Sequence, residues 1–302
     1  MKLTLLALTA ALVTTPVLAQ QTDPHAGHGQ TTPKPLTQDA ATPVVQMPLN
    51  EKIPPDATGA LEALKRSPRH HEWVDIKVPG STTPIKSFVV YPERKDKAGV
   101  VIVIHEIFGL SDWVRGVADQ LAEDGFIAIA PDLLSGKGPN GGGTADLGDQ
   151  VTQVIRTLTP DDVVSKLNAV REYGLKLPAA NGKSGVVGYC WGGSASFNYA
   201  IAQPTLNAAV VYYGSSPSDV TAYASIKAPV LGLYGGNDAR VNATIPTAEE
   251  HMKKHGKVYE PNTFEGAGHG FLRQQSGADG ANLKATEKAW PLTIGFFRTH
   301  LK

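Results

Sequence analysis

A single cysteine stands in 302 residues, and the residues around it suggest why it is there. Gly188-Tyr189-Cys190-Trp191-Gly192-Gly193 sets the thiol between glycines two positions to either side. A nucleophile carried on a sharp strand-to-helix turn needs that spacing, because side chains at those positions would meet neighbouring backbone. The form is G-x-S-x-G with cysteine in place of serine. The helix that follows sets its positive end beneath the sulfur, where it stabilises an anion. The alternative is a small buried cysteine in an ordinary tight turn. The junction between an apolar strand and a helix favours the nucleophile.

A thiolate that attacks carbonyls wants an imidazole, and the imidazole wants a carboxylate to orient it. Both follow in the order nucleophile, acid, histidine. Asp238 lies in Gly235-Gly236-Asn237-Asp238-Ala239-Arg240-Val241, at the end of an apolar run. His269 lies in Gly266-Ala267-Gly268-His269-Gly270-Phe271, after the last strand-like stretch, and of nine histidines it alone has that setting. His105, at another strand end, reads as a supporting residue. Backbone N–H groups of Trp191 and of the loop after Ile104 would then bind the oxyanion.

The elements that must position these groups are legible from periodicity. Trp73–Val78 and Ile85–Tyr91 alternate apolar with polar around Pro79-Gly80, which predicts an antiparallel pair at a sheet edge. Val100–Ile104 is a β-branched run suited to a strand covered on both faces. Phe126–Ala130, Gly185–Tyr189, Ala208–Tyr213, Val230–Tyr234 and Lys257–Phe264 are further strands. Helical patterns over Asp112–Glu123, Pro160–Tyr173, Trp191–Ala202, Ile245–His255 and Ala281–Leu301 come between and after them. This alternation predicts an α/β fold with a doubly wound, mostly parallel sheet, whose chemistry sits at the C-terminal strand ends.

Composition bounds the rest. Lys and Arg total 28, as do Asp and Glu, so no strongly basic face calls for nucleic acid. Met1-Lys2, the apolar run Leu3–Val17 and Val17-Leu18-Ala19 predict a signal peptide over residues 1–19, too short an apolar stretch to span a bilayer. The mature protein is then periplasmic or secreted, with no stable membrane association. Residues 20–68, rich in Thr and Pro, read as a flexible segment, and 69–302 as the catalytic domain. Asp23, His25 and His28 lie close together in that segment, where solvated histidines are the ordinary case, so neither metal nor cofactor is expected.

Taken together, His105-Glu106-Ile107-Phe108-Gly109, the Cys190 elbow, the Asp238 loop and His269-Gly270-Phe271 resemble the dienelactone hydrolases (carboxymethylenebutenolidases) from about Trp73 onward. The resemblance implies an α/β-hydrolase fold and hydrolysis of small lactones or esters through an acyl-enzyme, by a protein expected to act as a monomer. It implies that Glu106 lies against the sulfur and takes the thiol proton when substrate moves it, and that the second oxyanion N–H belongs to Ile107. Arg273 matches a position that binds the lactone carboxylate, and Phe108 is placed with it at the substrate. The family's other substrate-binding arginine falls after Pro131-Asp132. There this chain has a glycine-rich loop, Ser135–Thr144, suited to a lid, with Arg156 beyond it as a substitute. The competing readings are a general carboxylesterase on neutral esters and a non-catalytic exported binding protein. A thiol redox protein would lack a second cysteine to resolve a disulfide.

Overall fold

Val100-Val101-Ile102-Val103-Ile104 offers water no polar side chain, and a strand made of it must be covered on both faces. In the computed structural model, which describes Asn50 and residues 52–302, that cover is complete. Val101 and Val103 point into one core layer, and Val100, Ile102 and Ile104 into the other. The alternation of period two thus divides a single strand between two helical layers.

Around it the described residues form one eight-stranded sheet, ordered β1-β2-β4-β3-β5-β6-β7-β8. The strands are β1 (His71–Ile76), β2 (Ile85–Val90), β3 (Ala98–Ile104), β4 (Ile127–Pro131), β5 (Ala180–Tyr189), β6 (Ala208–Tyr212), β7 (Val230–Gly235) and β8 (Tyr259–Phe264). β1 pairs with β2 and β2 with β4 in antiparallel fashion; every other pairing is parallel. The helices are α1 (Ala60–Arg66), α2 (Asp112–Glu123), α3 (Thr144–Leu147), α4 (Val151–Val154), α5 (Pro160–Lys176), α6 (Trp191–Ala202), α7 (Ala239–Asn242), α8 (Ile245–Lys254) and α9 (Ala281–His300). One layer joins α2 and α9 through Trp113, Val117, Leu121, Trp290, Ile294 and Phe297. The other joins α5, α6 and α8 through Leu167, Val170, Phe197 and Met252. The doubly wound sheet expected from the alternation of elements is present.

Two stretches differ from the sequence reading. Residues 52–68, placed there in the flexible segment, include α1, and Ile53, Ala60 and Leu64 are buried in the same layer as α2. Three buried residues spread over twelve, among prolines and small residues, give too weak a period to read as an element. The loop Ser135–Thr144, expected to act as a lid, is anchored at its far end. Thr144 donates through both N and Oγ1 to the Asp132 carboxylate, each at 2.7 Å, and Leu110 N–H donates to Thr144 Oγ1 at 3.0 Å. The signal sequence (1–19), residues 20–49 and the Asp23, His25, His28 group lie outside the described residues.

Candidate active site

Cys190 is the hinge of the arrangement. It follows β5 directly, opens α6, and has φ +55° and ψ −115°, a region that residues with a Cβ enter only when the surroundings over-determine them. The surroundings here are backbone. A Cβ on Gly188 would stand 1.9 Å from Gly192 O, one on Gly192 2.4 Å from His105 O, and one on Gly193 2.4 Å from Tyr212 O. Cys190 N–H donates to Tyr212 O at 3.1 Å, fixing the turn against the next strand. The sulfur is half-buried, not walled into the interior.

Asp238 and His269 arrive from β7 and β8. A Cβ on Gly235 would lie 2.5 Å from Gly268 O and 2.7 Å from Ala267 O, so this glycine lets the histidine loop close over the aspartate loop. Asn237 N–H donates to Ala267 O at 2.9 Å across the same gap. His269 Nδ1 then meets Asp238 Oδ2 at 2.5 Å, with the aspartate 7% exposed. Cys190, first among the causes, and the hydrogen bond to Asp238 push the His269 pKa up to about 9 against the opposing effect of burial. The carboxylate also accepts Val241 N–H at 3.4 Å, so it caps the short helix α7 while holding the imidazole.

Glu106, just past β3, is 3% exposed. Its Oε1 lies 2.7 Å from Arg273 Nε. The two atoms meet as charges without the alignment of a hydrogen bond. Burial pushes the Glu106 pKa up to about 7, and the opposing pulls of Arg273 and His269 are smaller. At neutral pH this carboxyl is therefore poised between its acid and its base. Arg273 also lies over the Phe108 ring, its guanidinium carbon 4.8 Å from the centroid.

The turn that carries Glu106, Ile107 and Phe108 is closed by Gly109 N–H donating to Glu106 O at 3.1 Å, which leaves the amides of Ile107 and Phe108 unused by the turn. Trp191 N–H opens α6 and has no acceptor within the helix. His105, fully buried, locks this region. Its Nε2 accepts Leu133 N–H at 3.2 Å, so Nδ1 carries the proton and donates to Glu106 O at 2.9 Å. Burial holds its pKa below the ordinary value, consistent with that neutral tautomer. Its ring stacks on Trp191 at 5.8 Å.

Cys190, Asp238, His269, Glu106, Arg273, Phe108 and the Trp191 and Ile107 backbones thus gather at the C-terminal strand ends. Arg156 does not join them. It lies exposed on the 3-10 turn Ile155–Thr157, with no contact to the other site residues among the described residues. The cleft beside Phe108, about 390 Å3, is lined instead by Thr144, Gly148, Asp149, Val151 and Thr152. The sequence reading missed Tyr213, at the end of β6. It is fully buried, has φ +38°, and sets its ring edge-on to His269 with centroids 5.2 Å apart. Its only signal was an aromatic at a strand end beside the elbow.

A family model described as the dienelactone hydrolase family matches residues 85–301. A protein of Methylorubrum extorquens provisionally named carboxymethylenebutenolidase is 30% identical over 208 residues, covering 65% of this chain and 71% of that one. One of the same name from Saccharolobus solfataricus is 28% identical, covering 71% and 93%. A solved structure provisionally named dienelactone hydrolase, from Klebsiella pneumoniae, superposes with a TM-score of 0.67 at 24% identity, covering 76% of this chain and 98% of the other. The dienelactone hydrolase of Anabaena variabilis gives 0.61 at 22%, covering 78% and 99%. At those identities the structures speak to the fold, which is that of the α/β-hydrolases.

Proposed function

The chain belongs to the dienelactone hydrolase family, whose members hydrolyse esters and lactones, and from that premise we propose that it cleaves small anionic esters or lactones through a Cys190 acyl-enzyme. The observation that carries this reading is the hydrogen bond of His269 to Asp238 beside Cys190, which stands on a turn held open by glycines.

In the proposed cycle a substrate carboxylate takes the Arg273 guanidinium and releases Glu106. The freed carboxylate, a base at neutral pH, accepts the thiol proton. The thiolate attacks the carbonyl, and the oxyanion is held by the N–H groups of Trp191 and Ile107. Collapse of the tetrahedral intermediate breaks the ester C–O bond, and His269, protonated, gives its proton to the departing alkoxide. A water then attacks the thioester, giving a proton to His269; collapse of this second intermediate breaks the C–S bond, releases the acid product and expels the thiolate, which takes back the proton held by Glu106.

The test is a panel of lactones and 4-nitrophenyl esters assayed with wild type and Cys190→Ala, with mass spectrometry for an acyl adduct on the Cys190 peptide. The variant is expected to lose at least ~10³-fold in kcat/KM, the scale for removing a covalent nucleophile. Unchanged turnover in the alanine variant removes the proposed nucleophile. Export and a monomeric state belong to the same proposal. They are checked by the N-terminal mass of protein recovered from the periplasm or medium, expected to begin at Gln20, and by its sedimentation.

A further inference from the structure

The loop Gly268–Gln275 carries two groups with different duties, His269 near its start and Arg273 near its end. It is held from two directions. At the His269 end the holder is α9, where Asn282 Oδ1 accepts Gly268 N–H at 2.9 Å and Thr286 Oγ1 reaches Phe271 O at 3.4 Å. At the Arg273 end Asn282 of α9 also donates its amide to Gln274 O at 2.7 Å, and a second holder is chain that precedes the whole sheet. Ala57 N–H donates to Arg273 O at 3.0 Å, and the buried Gln275 amide donates to Pro54 O at 2.8 Å.

That N-terminal chain is itself anchored. Ile53, Pro54 and Pro55 are buried. The Pro55 ring is seated so closely on α2 that a Cβ on Gly116 would come within 3.0 Å of it. The Asp56 carboxylate accepts the amides of Thr58 and Gly59, which turns the chain into α1, and α1 packs on α2 through Ala60 and Leu64. Residues 53–57 therefore form a strap fixed to α2 on one side and to the Arg273 turn on the other. They lie ahead of residues 85–301, the stretch that matches the family.

We propose that the strap Ile53–Ala57 is a positioning element for Arg273 that sets how tightly the site holds a substrate carboxylate, while the bonds from α9 to Gly268 and Phe271 position His269. The proposal rests on Arg273 as the carboxylate holder. The physics is that of preorganisation. A guanidinium recognises a carboxylate by a fork of fixed geometry, and a turn free to shift by even a fraction of an ångström gives up part of that contact. Loosening the strap is therefore felt in binding of anionic substrates and not in the chemical step.

The experiment uses the full chain and two substrates of similar length, 4-nitrophenyl hemisuccinate and 4-nitrophenyl butyrate. Ala57→Pro removes the N–H that Arg273 O accepts, and Gln275→Met removes the bond to Pro54, with a longer one to Leu272 O, at nearly constant side-chain length. Melting temperatures confirm that each variant is folded, and Gln275→Met carries the test if Ala57→Pro is not. KM for the hemisuccinate is expected to rise about threefold to tenfold, the scale of one lost hydrogen bond. The butyrate KM and both kcat values should stay within about twofold of wild type. Against an Arg273→Gln background the same substitutions should add nothing to the hemisuccinate KM. KM rising equally for both esters, kcat falling for both, or no change in either overturns the strap proposal. Should Arg273→Gln leave the hemisuccinate-to-butyrate preference intact, the reading of Arg273 fails instead. Should it abolish the preference while the strap variants keep it, the strap alone is refuted.

Discussion

Two protonation states decide what this site does at a given pH, and both follow from local surroundings. Burial outweighs the adjacent guanidinium at Glu106, so the carboxyl is neutral below about 7 and a base above it. His269, held up to about 9 by Cys190 and by its bond to Asp238, is an imidazolium below that value and neutral above it. The proposed cycle needs Glu106 ionised to take the thiol proton and His269 protonated to steady the thiolate and release the alkoxide. The expected profile of kcat/KM is therefore a bell, rising through about 7 and falling through about 9, with both limbs belonging to coupled groups. Glu106→Gln should erase the rising limb and lower kcat/KM by ~10²–10⁴-fold, the range for a lost general base. A rising limb that survives in this variant would assign it to another group. Arg273 answers a separate question: Arg273→Ala should reduce the preference for anionic over neutral esters by about tenfold or more, since a charge-assisted contact contributes ~1.5–3 kcal/mol. A neutral-ester hydrolase would show no such change.

At the scale of elements, the site exists because strand and helix come closer than side chains allow. Gly192 sits where a Cβ would lie 2.4 Å from His105 O and 2.5 Å from Ile104 O, so α6 rests directly on the end of β3. Gly192→Ala should push the two apart, displace Cys190 and the Trp191 amide together, and lower kcat/KM by at least ~10²-fold on every ester, as for loss of an oxyanion donor. Its overpacking cost of ~1–3 kcal/mol should also appear as a lower Tm. Full activity in this variant would mean that the elbow tolerates more room than its backbone shows. These glycines were legible because a tight turn constrains the identity of neighbours in the sequence. So were the strands, since β-branched runs such as Val100–Ile104 and the alternation in Ile85–Tyr91 report burial locally. The contact of Glu106 with Arg273 was hidden, because it joins residues distant in sequence through the closing of two loops. The strap was hidden for a related reason. Ile53, Ala60 and Leu64 are buried by α2, and nothing in their own polar, proline-rich stretch requires it. Arg156 misled because charge and approximate position were its whole argument, and the fold sends Ile155 inward and leaves its neighbour in solvent.

Across the whole molecule, the two ends of the sheet have different work. Reactive groups crowd the C-terminal ends of β3, β5, β6, β7 and β8, where strained turns and buried charges oppose stability. The N-terminal ends of β3 and β5 carry none of that chemistry and are closed by the last residues of the chain. Leu301 is 2% exposed and presses on β3 so closely that a Cβ on Gly99 would meet it at 2.7 Å. Its carbonyl accepts the Asn181 amide at 2.7 Å, and its side chain, with Phe297, fills the space left by Gly185. This plug is therefore a place where stability can be changed without touching the site. Leu301→Ala should cost ~2–5 kcal/mol, as large-to-small changes in a packed core do, and lower Tm by roughly 4–15 °C in a domain of this size. Because the sheet is stiff and the plug lies at the opposite end from Cys190, kcat/KM at 25 °C should stay within about twofold of wild type. Thermal denaturation and ester hydrolysis measured on the same preparation check both halves. A fall in activity that matches the fall in Tm would show that the plug's packing reaches the reactive edge, and the separation of the two ends would have to be given up.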